Sequence, residues 1–118
     1  MKVLLLEDNL SMQKATTRML RRVCGNDVDL RVVDTCADAI ALLQLESFDF
    51  VVSDYEVLDG TADTLLRWVR ATRPDLLPRL VLFTGTCGLE HLHDKIIDKG
   101  SPDAFIAQMR TFVAGLRS

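Results

Sequence analysis

The chain has 118 residues, 48% of them hydrophobic and 26% charged, with six Gly and three Pro, a composition that suits one compact domain over residues 1 to 118 and leaves no room for two. Fourteen Lys and Arg against 17 Asp and Glu give a formal charge of -3, so bulk charge supplies no reason to bind nucleic acid or an anionic membrane. The early apolar run Val3 to Leu6 is closed by Glu7 and Asp8, far too short for a leader peptide or a membrane span, and a soluble, cytoplasmic protein is expected.

In chain order, short apolar runs alternate with segments of helical period, the pattern of repeated strand-helix units around a parallel sheet. Val3 to Leu6 is the first strand. Met12, Ala15, Met19, Leu20 and Val23 then recur at helical spacing. Asp29 to Val33 is the second strand and Ala37 to Leu45 the second helix. Phe48 to Ser53 is the third strand, followed by a helix through Ala62, Leu65, Leu66 and Val69. The fourth strand is Leu80 to Phe83 and the fifth Lys95 to Asp98. Only residues 85 to 95 separate these two, whereas a parallel crossover takes roughly 10 to 12 residues including its helix. Gly85 and Gly88 weaken helix there further, so a shortened or missing fourth helix is expected. The last helix runs through Phe105, Ile106, Met109, Phe112, Val113 and Leu116, with Ser101 as cap and Pro102 at its first position, where the missing N–H costs nothing.

Strands one, three and four are almost continuously apolar, as strands buried on both faces must be, while two and five carry charge and belong at the edges. The doubly wound order that places two and five outermost is the flavodoxin-like 2-1-3-4-5. The fold class is therefore α/β with a five-stranded parallel sheet. Cys24, Cys36 and Cys87 are an odd number without metal-binding spacing and are read as reduced, mostly packed thiols.

Ligands of open parallel sheets bind beyond the carboxyl ends of the strands, where the strand order reverses. Glu7 and Asp8 end strand one, Asp54 ends strand three, Thr84 ends strand four and Lys99 follows strand five, so all five face one crevice. Three carboxylates within a few ångström raise one another's pKa, and a cation or a proton must relieve them. Oxygen-only donors select a hard cation, and Mg²⁺ suits them because it takes one or two carboxylates and accepts a phosphoryl oxygen. A hydroxyl and an ammonium opposite would hold the other oxygens of a phosphoryl group, and a carboxylate beside the metal can act as nucleophile to give an aspartyl phosphate.

The runs Val-Leu-Leu-Leu-Glu-Asp-Asn (3 to 9), Ser-Asp-Tyr (53 to 55) with Leu-Asp-Gly (58 to 60), Phe-Thr-Gly (83 to 85) and Lys-Gly-Ser-Pro (99 to 102) together resemble the receiver domain of bacterial two-component response regulators over the whole chain. The resemblance implies that Asp54 accepts a phosphoryl group from the phosphohistidine of a sensor histidine kinase or a histidine phosphotransfer protein. It further implies that Asp8 coordinates Mg²⁺ directly, that Glu7 does so mainly through water, and that the Glu56 backbone carbonyl is a further ligand. Thr84 and Lys99 would contact the phosphoryl group, the Thr84 hydroxyl moving toward it, and a downstream effector would read the change. Such a domain modifies itself without a separate substrate and is not an enzyme in the usual sense; a homodimer is left open. The chain would be a single-domain regulator or the receiver of a longer protein.

The sequence departs from that family at Leu58 (usually Pro), Ala62 (often Gly), Gly100 (often a cis-Pro) and Ile96, where a Tyr or Phe usually couples the threonine to the output face. Two other readings therefore stay open: a pseudo-receiver that signals without phosphate, and an Mg²⁺-dependent phosphatase with an Asp nucleophile. Glu56 and Thr86 stand where the family tunes phosphate lifetime. Lys14, Arg18, Arg21 and Arg22 share a helix face that either steers an acidic partner or is simply solvated. Cys87, His91, His93 and Asp94 are read as an exposed loop, and Trp68 as a partly buried packing residue.

Overall fold

The computed structural model describes residues 1 to 117. Its elements in chain order are β1 (Lys2–Leu6), α1 (Leu10–Cys24), β2 (Asp29–Val33), α2 (Cys36–Leu45), β3 (Phe50–Ser53), β4 (Glu56–Val57), β5 (Gly60–Thr61), α3 (Asp63–Thr72), a 3₁₀ helix (Pro74–Arg79), β6 (Leu80–Thr84), β7 (Ile96–Asp98) and α4 (Pro102–Arg117). The main sheet has the order β2-β1-β3-β6-β7 with every pair parallel, which is 2-1-3-4-5 among its five strands and the flavodoxin-like arrangement.

Because successive side chains on a strand point to opposite faces, each central strand feeds two cores. Leu4, Leu6, Val51, Leu80 and Leu82 point to one face, where Ala39 and Leu43 of α2 and Leu65, Leu66 and Val69 of α3 cover them. Val3, Leu5, Phe50, Val52, Val81 and Phe83 point to the other, under Met19 and Leu20 of α1 and Phe105, Ile106 and Met109 of α4. There the Phe83 and Phe105 rings lie 4.1 Å apart, and Phe50 meets Phe112 edge-on at 5.5 Å.

The helix ends follow the residues that begin them. Asn9 Oδ1 accepts the Met12 N–H at 2.9 Å to start α1, and Thr35 Oγ1 accepts the Asp38 N–H at 3.0 Å to start α2. Ser101 Oγ accepts the Ala104 N–H at 3.2 Å, with Pro102 opening α4 as the sequence predicts. Gly25, at φ +101°, ends α1, a backbone angle that an L side chain rarely adopts.

Three features differ from expectation. Phe48 is buried but precedes β3, which begins at Phe50. The two-stranded hairpin β4–β5, an element the strand and helix pattern does not include, follows Asp54, turning at Leu58-Asp59 with Gly60 at φ +136°. Residues 85 to 95 contain no helix, as the short connection predicts, and buried Leu89 and half-buried Leu92 pack onto the layer with α2 and α3. That segment is also less exposed than expected. His93 is buried, and its Nε2–H donates to the Leu80 carbonyl oxygen, while the Arg70 guanidinium donates to the carbonyl of Leu92.

Candidate functional site

The parallel ladders deliver the candidate residues to one rim of the sheet. Glu7 leaves β1 with its N–H on the Val33 carbonyl at 2.9 Å, and Asp54 leaves β3 with its N–H on the Leu6 carbonyl at 2.9 Å. Thr84 is the last residue of β6. Its carbonyl accepts the N–H of Lys99 at 3.2 Å, which extends the pairing of β6 with β7 by one residue and fixes the root of the lysine.

Side-chain oxygens of Glu7, Asp8 and Asp54 all lie within 4.8 Å of one another. Lys99 Nζ joins them, donating to Glu7 Oε1 at 2.6 Å and to Asp54 Oδ2 at 2.7 Å. The lysine thus supplies part of the positive charge that three converging carboxylates require. Burial pushes the Glu7 carboxyl above its ordinary value, although Lys99 and the Asn9 N–H on Oε2 pull the other way. Burial alone would lower the Lys99 pKa, but its hydrogen bonds to Asp54 and Glu7 outweigh that and hold the ammonium above its ordinary value. The second Asp54 oxygen accepts the Tyr55 N–H at 2.6 Å. Asp8 differs from its neighbours: its carboxylate is exposed and has no partner among the described residues.

Two positions lie at the margin. The Thr84 hydroxyl is buried and accepts the Thr86 N–H at 3.2 Å, so it is turned toward the segment after β6. Glu56 opens β4 two residues beyond Asp54, with its side chain exposed and outside the carboxylate group.

Several supporting residues were not singled out from sequence. Asn9 both caps α1 and donates to Glu7, and Gln13 Nε2 donates to the Glu7 carbonyl at 2.6 Å. An Asn placed directly before the first helical repeat is a cap signal that could have found the first of these. Asp59 joins the hairpin to α2, accepting the N–H groups of Cys36 at 2.8 Å and Ala37 at 3.2 Å, which pulls its pKa below the ordinary carboxylate value. The Leu58 N–H on the Asp34 carbonyl and the Cys36 thiol on the Thr61 carbonyl add to this attachment.

The structure also accounts for Gly100. Its N–H donates to Asp98 Oδ2 at 2.7 Å, which a proline could not do, and a Cβ there would lie 2.5 Å from that oxygen. No peptide bond among the described residues is cis.

Solved structures share this fold over nearly the whole chain. The response regulatory domain of protein mrkE from Klebsiella pneumoniae superposes with a TM-score of 0.84 at 14% identity, covering 99% of this chain and 98% of that one. The signal receiver domain of an HD domain-containing protein from Pseudomonas fluorescens gives 0.79 at 16%, covering 98% and 96%. The response regulator protein TrrA from Thermotoga maritima, in complex with Mg²⁺-BeF, gives 0.78 at 13%, covering 94% and 97%. No protein-family model matches the chain, and no curated protein does. The chain therefore has the fold of response regulator receiver domains, with an acidic cluster at the carboxyl rim of its sheet. No helix among the described residues is long and apolar enough to cross a membrane.

Proposed function

We propose that the chain is a phosphoacceptor receiver domain of a two-component or phosphorelay system. The observation that carries this reading is the convergence of Glu7, Asp8 and Asp54 within 4.8 Å, with Lys99 Nζ 2.7 Å from Asp54 Oδ2. An Asp54 carboxylate oxygen forms the new O–P bond while the P–N bond of a phosphohistidine breaks, its electron pair returning to the imidazole. Lys99, already charged and anchored through its backbone, transfers a hydrogen bond to a phosphoryl oxygen, and the Thr84 hydroxyl gives up Thr86 to do the same.

The donor set fits Mg²⁺: all its side-chain donors are oxygens, and the unpaired Asp8 offers a ligand without breaking a bond. Asp8, Glu7 and Asp54 would hold the ion with the backbone carbonyl of Glu56, and when bound it neutralises developing charge on the phosphoryl oxygens. TrrA, which shares the fold, was crystallised with Mg²⁺-BeF. A sensor histidine kinase or histidine phosphotransfer protein in the cytoplasm is the donor in this reading. A downstream effector is the reader, and no separate substrate is turned over.

The test is to incubate the protein with Mg²⁺ and acetyl phosphate or phosphoramidate and to weigh it intact. Gain of one phosphoryl group that disappears in Asp54→Asn supports the proposal, whereas steady phosphate release from unrelated esters supports a phosphatase. Inertness supports a pseudo-receiver. One observation favours that last reading: half-buried Ile96 packs against the layer under residues 85 to 95, in place of an aromatic ring that could swing.

A further inference from the structure

The outward face of α1 carries more positive charge than helix stability explains. Lys14 and Arg18 are four residues apart, Arg18 and Arg22 likewise, and Arg18 and Arg21 three apart, so like charges repel along one exposed face. None of the four has an ion-pair partner among the described residues, although the chain as a whole is acidic. Arg21 and Arg22 at least complement the carboxyl-terminal end of the helix dipole; Lys14 and Arg18 lie outside that turn.

The same face borders an apolar floor. Lys14, Thr17, Arg18 and Arg21 line a shallow groove with Gln13 and with Val32 of β2, whose side chain is 39% exposed. Leu10, at the start of α1, is 64% exposed. Two of the four exposed large hydrophobic side chains among the described residues therefore belong to these two neighbouring elements. β2 is the outermost strand, paired only with β1, so nothing in the fold covers this side.

From these observations we infer that α1 and β2 together form a docking surface for an acidic, amphipathic segment of a partner protein. Its carboxylates would pair with Lys14, Arg18 and Arg21 while apolar side chains cover Val32 and Leu10. Charge complementarity selects an acidic occupant, and the exposed apolar residues favour a polypeptide over a nucleic acid. The surface stands on its own geometry and does not depend on phosphorylation of Asp54.

The probe is a helical peptide of about 20 residues with leucines on one face and glutamates on the other, long enough to span the exposed face. It is titrated into the ¹⁵N-labelled protein and compared with the same peptide carrying lysines instead of glutamates. The expected result is a set of amide shifts centred on Lys14, Arg18, Arg21 and Val32, with affinity falling about tenfold or more in Arg18→Glu/Arg21→Glu and at high salt. Val32→Ser should weaken binding without altering its salt dependence. Unchanged spectra, shifts centred elsewhere, or equal binding of the lysine peptide would overturn the inference. So would a single-stranded oligonucleotide or an anionic vesicle binding the same residues more tightly than the peptide.

Discussion

Lys99 Nζ lies 2.7 Å from Asp54 Oδ2, joining residues 45 positions apart across the rim of the sheet. With a second bond to buried Glu7, this ammonium holds together carboxylates that would otherwise repel one another.

Removing that charge should therefore cost stability. Lys99→Met leaves Glu7 buried beside Asp54 without compensation, and a loss of about 3 kcal/mol is expected at pH 7. Urea unfolding measures it. If the carboxylates hold Mg²⁺ as proposed, millimolar Mg²⁺ should recover more stability in the variant than in the parent, because the ion would meet the same need.

The alkaline limb carries the same interaction. The folded pKa of Lys99 is raised above its ordinary 10.5, so its contribution is complete below that value and disappears as pH rises through the higher folded one. A stability profile from pH 9 upward should thus fall more steeply for the parent than for Lys99→Met, and parallel curves would contradict the pairing.

Asp59 governs the opposite limb. Its pKa is lowered from 3.8 by the N–H groups at the start of α2, so its stabilisation is present above that value and lost as pH falls through the lower folded one. Asp59→Ala should cost about 1 kcal/mol at neutral pH for this exposed cap, with the difference vanishing in strong acid. Thermal melts across the acid range test both statements.

Thr16 Oγ1 is the one buried side-chain oxygen or nitrogen among the described residues without a hydrogen-bond partner. Replacing the hydroxyl by a methyl group of the same shape removes a desolvation cost, so Thr16→Val is expected to stabilise by about 1 kcal/mol. In calorimetry that corresponds to a rise of roughly 3–6 °C in Tm. A fall would show that the cavity cannot accept the methyl.

His93 fastens the segment that replaces a helix. His93→Ala strips the Leu80 carbonyl of its side-chain donor and leaves a void in place of a buried ring, and a loss of about 2 kcal/mol follows. Amide exchange over residues 85 to 95 should accelerate while α1 and α4 stay protected.

The strand order was legible because polarity reports burial on both faces: Val3 to Leu6 and Leu80 to Phe83 read as central, and the charges in Asp29 to Val33 placed that strand outside. The convergence of Glu7, Asp8 and Asp54 followed from strand ends alone. Periodicity could not reveal the β4–β5 hairpin, since two residues per strand hold too little pattern, although Asp59-Gly60 is a turn dipeptide that could have suggested it. The burial of His93 was hidden for another reason. It depends on a main-chain acceptor at Leu80, and carbonyl positions leave no trace in side-chain chemistry. The pairing of Lys99 with both acids was expected only as contact with a ligand, yet charge balance requires it in the ligand's absence as well.

The N–H of Lys99 rests on the carbonyl of Thr84, so the roots of the cation and of the hydroxyl are yoked through one main-chain link. A tug at either strand tip is passed to its neighbour, and under the proposed reading ammonium and hydroxyl would advance or retreat as a pair.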